Sequence, residues 1–232
     1  MVVKFQSKKI LRLVKVILLL LVHQSAFSLS GDLEPFFDQH EDSLTLLKIK
    51  NHYLELYQDI SIIDSIARKN SECLKNKNEF KYLMNELSRV QLLSAGSGIK
   101  QAIILVEKLK LNKTIAENRI LNGYYNNVNG GIQFSLNEPE KARKFYLNAV
   151  QLFSSTKDSV GLKGNLINLG NTHAATNNND SAMFYYNKAK TLEEMGITEF
   201  KFNLQNNLAN VYKNMGRLSE ATEIYEQLVF NE

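Results

Sequence analysis

"NLGNTHAATNNNDSAMFYYNKA", Asn168–Ala189, decides how this chain is read. It gathers a histidine, an aspartate, three aliphatic hydroxyls and a run of asparagines, the raw material of a polar active site. Its small residues say otherwise. Ala182, Tyr186 and Ala189 are four and three positions apart, so they share one helical face. Gly170 costs its own helix about 1 kcal/mol relative to alanine, a cost that close approach of a neighbouring element would offset. The stretch is a packing code before it is chemistry.

Working outward, the same code recurs. Ala102, Ala142, Ala182 and Ala221 are separated by 40, 40 and 39 residues. Four positions after each stands Val106, Tyr146, Tyr186 or Tyr225, and seven after stands Leu109, Ala149, Ala189 or Leu228. Upstream, Leu169, Gly170, Asn171 and His173 superpose on Leu208, Ala209, Asn210 and Tyr212. The unit is a helix, a tight turn, an antiparallel helix and a connector. Helix axes 8–10 Å apart need small side chains where ridges cross, which explains the conserved spacing of alanine and glycine within the chain. Asn178 or Asn179 is expected to cap the second helix, Pro139 suits a first helical turn, and "SAGSG", Ser94–Gly98, marks a break between helices.

These residues resemble the tetratricopeptide repeat (TPR) family. Leu169, Gly170, His173, Ala182, Tyr186 and Ala189 fit its pattern, and Leu208, Ala209, Tyr212, Gly216, Ala221 and Tyr225 fit it again. The period is about 40 where the family has 34, so longer helices or connectors are expected. One period before Leu169, Gly170 and His173 stand Asn129, Gly130 and Gln133, of which only the glycine fits. The resemblance implies an all-α superhelix of helical hairpins whose first helices line a concave groove. It also implies Asn171, Asn206, Asn210 and Lys213 as the places that contact a peptide. An asparagine amide both donates and accepts, so it can hold a peptide backbone without selecting a side chain.

Composition agrees with an all-helical chain, since only Pro35 and Pro139 interrupt 232 residues. The formal charge is +4, with five basic residues before position 29; without them 23 basic residues face 24 acidic ones, a net of −1. That removes the argument for a nucleic-acid partner. The early basic residues lead into "VILLLLV", Val16–Val22, followed by Ala26 and Ser28 at small-residue cleavage positions. This reads as a secretory signal peptide over 1–28, placing the mature protein in the periplasm or outside the cell. An uncleaved membrane anchor is the alternative if Ile10–Val14 extend the apolar run while Arg12 and Lys15 snorkel. The remainder divides into an N-terminal helical capping region, 29–80, and a repeat array, 81–232. Apolar residues from Leu46 to Ala67 recur three and four apart, as in a coiled-coil seam or a capping hairpin. Cys73 is the only cysteine, expected as a buried, inert thiol.

No chemistry assembles beside this scaffold. The histidines, His23, His40, His52 and His173, never fall one helical turn apart, so no zinc motif is expected. His173 sits at an inward aromatic position and is expected to pack. The "GSG" and "NGG" stretches lack the rest of a phosphate cradle, no G-x-S-x-G elbow occurs, and Glu193 with Glu194 reads as solvated charge. The expectation is a non-enzymatic interaction module without a cofactor, whose partner is a protein or peptide. A second reading is the sensory portion of a bacterial membrane regulator whose output lies elsewhere. Ile224, Leu228, Val229 and Phe230 are expected to form an apolar end face, suited to self-association or to a continuation of the polypeptide.

Overall fold

The computed structural model describes residues 64–65, 67–68, 71–72 and 74–230. The signal segment, most of the Leu46–Ala67 pattern and Cys73 lie outside the described residues. Among the described residues the regular structure is entirely helical. In chain order the elements are α1 (Glu79–Ala95), α2 (Ile99–Leu109), α3 (Lys113–Glu117), α4 (Arg119–Ser135) and α5 (Pro139–Thr156). They continue with α6 (Ser159–Ala175), α7 (Asn179–Glu194), α8 (Lys201–Asn214) and α9 (Leu218–Phe230). None is long and apolar enough to cross a membrane.

Local chemistry sets the starts. Asn78, Asn118, Asp158 and Asn178 each accept from a backbone N–H of the first turn, satisfying donors that a helix leaves free. Pro139 opens α5, where its missing N–H costs nothing. The ends follow the repeat as closely. Asn137, Asn177 and Gly216 adopt left-handed φ values of 60°, 57° and 76°. The next residue in each case donates its N–H to a carbonyl five positions back: Glu138 to Gln133, Asn178 to His173, Arg217 to Tyr212, all at 2.9 Å. This is the Schellman closure, and asparagine and glycine are the residues that tolerate it best.

The helices pair as successive antiparallel hairpins, α1 with α2, α4 with α5, α6 with α7 and α8 with α9. The first helices α1, α4, α6 and α8 neighbour one another in turn. Connectors at 136–138, 157–158 and 176–178 are short, so the 16–18-residue helices α4 to α7 carry most of the long period. The repeated alanines Ala102, Ala142 and Ala182 have no exposed surface, and Ala221 has 3%. Ala149, Ala189 and Ala209 are equally enclosed. Leu83, Leu121, Leu169 and Leu204 are buried at the same seams, each contributing about 1.5–3 kcal/mol relative to exposure.

Glycine and ring interlock. A Cβ on Gly170 would stand 2.2 Å from Cε1 of Tyr186, and one on Gly130 2.5 Å from Cε1 of Tyr146. The earlier repeat therefore keeps the forty-residue register even though Asn129 and Gln133 depart from the pattern. Asn129 is buried where a leucine is usual, and its amide donates to the Tyr125 carbonyl at 2.8 Å. Phe153 of α5 is likewise wedged between Gly123 of α4 and Gly161 of α6.

One feature departs from the sequence reading. The five-residue α3 is inserted between the first and second hairpins, capped by Asn112 and anchored by buried Ile115. The helical residues between Asp64 and Leu74 dock on α1 through a polar network. Arg89 reaches Asp64 at 3.0 Å and Glu86 at 2.7 Å, Ser71 donates to Glu86, and Asn85 donates to the Ala67 carbonyl at 2.8 Å. Burial alone would raise the Asp64 carboxyl, but hydrogen bonds from Arg89 and Arg68 outweigh it and hold it below the usual carboxylate range.

Candidate functional site

Asparagines join the first helices side to side. Asn168 Nδ2 on α6 donates to Asn127 Oδ1 on α4 at 3.2 Å, and Asn207 Nδ2 on α8 donates to Asn171 Oδ1 on α6 at 2.9 Å. The same Asn171 oxygen accepts the hydroxyl of Tyr186 at 2.7 Å, and Asn210 Oδ1 accepts that of Tyr225 at 2.8 Å. Burial pushes the Tyr186 hydroxyl well above its ordinary range, so it stays protonated and donates. Asn171 and Asn210 thus spend their oxygens on the fold and keep their Nδ2 groups unengaged by the described residues.

The other two anticipated residues behave differently. Asn206 is half-buried and Lys213 exposed, and neither side chain hydrogen-bonds to another described residue. Asn127, Asn168 and Asn207 belong to the same amide surface but were not among the anticipated contacts. The 39-residue interval between Asn168 and Asn207 was the available signal. On α8, Asn203, Asn207, Asn210 and Asn214 follow a 4-3-4 spacing, which makes a continuous stripe of amides.

Several polar residues of Asn168–Ala189 find structural work. His173 is 8% exposed and stacks on Tyr185 with ring centroids 5.3 Å apart and planes 17° from parallel. Burial, then the charge of Arg143, hold its imidazole below the ordinary range. Its Nδ1 is buried with no hydrogen-bond partner among the described residues. Asn178 is the cap of α7, accepting from Ser181.

Glu193 requires a correction. It is not a solvated charge: its carboxylate accepts from Lys163 Nζ at 3.0 Å, and Lys163 is wholly buried. The same ammonium donates to the Ile197 carbonyl at 2.6 Å, tying α6 to the end of α7 and the connector that follows. The partner lies thirty residues away, beyond any local pattern. Glu194 is exposed as expected. At the last helix Val229 is 68% exposed, whereas Ile224 and Leu228 are half-buried, so the expected apolar end is narrower; the Phe230 side chain lies outside the described residues. Among the described residues no three His, Cys, Asp or Glu side chains gather as metal ligands.

Residues 165–194 and 202–229 each match the tetratricopeptide repeat. No curated protein matches the chain in sequence. In structure it is similar to the apo form of RapI, with a TM-score of 0.56 and 16% identity over 88% of this chain and 89% of that one. It is also similar to the nearly identical TPR-like repeats named for a Podosopora anserina kinesin light chain. There the TM-score is 0.55 and the identity 12%, over 79% of this chain and 91% of that one. The chain therefore carries tetratricopeptide repeats within an all-helical, TPR-like solenoid.

Proposed function

We propose that this chain is an exported protein-interaction module that holds an extended peptide segment along the face formed by α4, α6 and α8. The observation that carries the reading is the amide surface: Asn127–Asn168 and Asn171–Asn207 bonds fix neighbouring helices, while Asn206, Asn210 and Lys213 keep donors for a ligand. A preorganised row of amides binds a backbone with little ordering cost. The fold supports a scaffold over an enzyme, since His173 packs on Tyr185 and Asn178 caps α7. Export rests on the leader at 1–28, with the uncleaved anchor as its alternative.

The full chain used as bait should retain its partner from the exported fraction. Asn206→Ala combined with Lys213→Ala removes no internal side-chain bond, and should lower retention by about tenfold at about 0.5–1.5 kcal/mol per lost hydrogen bond. Unchanged retention with unchanged circular dichroism rejects the groove. Asn171→Ala and Asn210→Ala are poorer probes because they also strip Tyr186 and Tyr225 of their acceptors. N-terminal sequencing of exported material should begin at Leu29; a chain still starting at Met1 in the membrane fraction favours the anchor.

A further inference from the structure

The two kinds of helix divide charge unequally. α4 has one charged residue, Arg119 at its first position, and α6 has only Lys163, which is sealed inside the fold. α8 carries Lys201 and Lys213 near its ends. The second helices α5 and α7 carry four and five charged residues. In a chain that is 22% charged, the middle of the α4–α6–α8 face presents amides, small residues and half-buried rings instead.

Such a distribution suits a surface that is desolvated in use. Interface centres are depleted of charge, because an amide brought out of water can be repaid by one hydrogen bond whereas an unpaired charge cannot. A carboxylate or ammonium laid across α6 would lose its hydration and meet no opposite charge. Resting on the groove reading above, we propose that this face selects an extended polypeptide segment that is uncharged along its central stretch. Adjacent axes 8–10 Å apart give a span of about 16–20 Å from α4 to α8, or about five to six extended residues. Glycine, serine, threonine, asparagine and small aliphatic residues fill that stretch, and acidic or basic residues are confined to its flanks. Recognition is then nearly independent of ionic strength.

The test is a display library of random dodecapeptides selected on the full chain at about 50 and about 500 mM NaCl, with synthetic copies of the winners measured by fluorescence anisotropy. The expected winners lack Asp, Glu, Lys and Arg over their central positions. Their affinity changes less than about twofold between the two salts, and one central Glu weakens it at least about tenfold. Binding weakens about threefold in Asn206→Ala, whose circular dichroism stays that of the parent. Winners that depend on Asn206 but share a central charge, or weaken more than about fivefold at high salt, overturn the neutral selection and leave the groove standing. A selection that yields no Asn206-dependent peptide overturns both.

Discussion

Tyr186 donates its hydroxyl to Asn171, fifteen residues earlier, at 2.7 Å, and Tyr225 bears the same relation to Asn210 at 2.8 Å. One hydrogen bond has been repeated with the fold, joining the seam inside each of these two hairpins to the amide face outside it. Tyr186→Phe should destabilise by about 1 kcal/mol, the net worth of a neutral hydrogen bond, and Tyr225→Phe by less because its ring is half-buried. Urea midpoints measure both; zero losses would deny the bonds their role.

Gly170 and Gly131 offer opposite outcomes for one substitution. Both would gain about 1 kcal/mol of helix propensity on becoming alanine. At Gly170 the new methyl collides with the Tyr186 ring, so a net loss of about 1–3 kcal/mol is expected. At Gly131 the nearest atom, Ser94 Oγ, is 3.7 Å away, so the helix gain should survive. Thermal denaturation of the two variants separates them, and a stable Gly170→Ala would contradict the interlocked seam.

Removing either end of the Lys163–Glu193 pair should not be equivalent. Glu193→Ala leaves an ammonium buried with only the Ile197 carbonyl, a loss of about 3 kcal/mol. Lys163→Met fills the same space without a charge, and leaves a carboxylate that is 18% exposed and can hydrate. Chemical denaturation should therefore rank Glu193→Ala below Lys163→Met; the reverse order would reject the argument.

His173 gives stability a pH dependence. Its folded pKa lies below the ordinary 6.5 because burial, and then Arg143, disfavour the imidazolium. Between the folded value and 6.5 the unfolded chain binds more protons, so stability rises with pH. The contribution is complete above 6.5 and is lost as pH falls through the folded value. His173→Phe keeps a ring on Tyr185 and should flatten this part of the profile, read from urea midpoints across the acidic range. An unchanged slope would assign it to other groups; the lowered Asp64 carboxyl acts in a separate window, below its ordinary 3.8.

The repeat was legible because its determinants are short-range and periodic: alanines at 102, 142, 182 and 221, a glycine at 170 and rings four residues past each later alanine. What escaped depends on partners far along the chain. Nothing near Glu193 announces Lys163, and nothing near Asn171 announces that Asn207 will donate to it. The inserted α3 was readable from Asn112 followed three positions later by Ile115, a cap and an anchor too brief for a periodic pattern. Within the amide face, Asn206 and Asn210 stand where the resemblance implies peptide contacts, while Asn127, Asn168 and Asn207 acquire meaning only when helices lie side by side.

The shared dihedral at Asn137 and Asn177 makes those two turns interchangeable joints. A chain cut before each and spliced, with 137–176 excised, would pass from Leu136 into Asn177 along the path it already follows. Inserting a second copy of that block would be equally smooth. Whole modules removed or added at these joints would shorten or lengthen the solenoid, and the length of its amide face would become a quantity set by gene duplication.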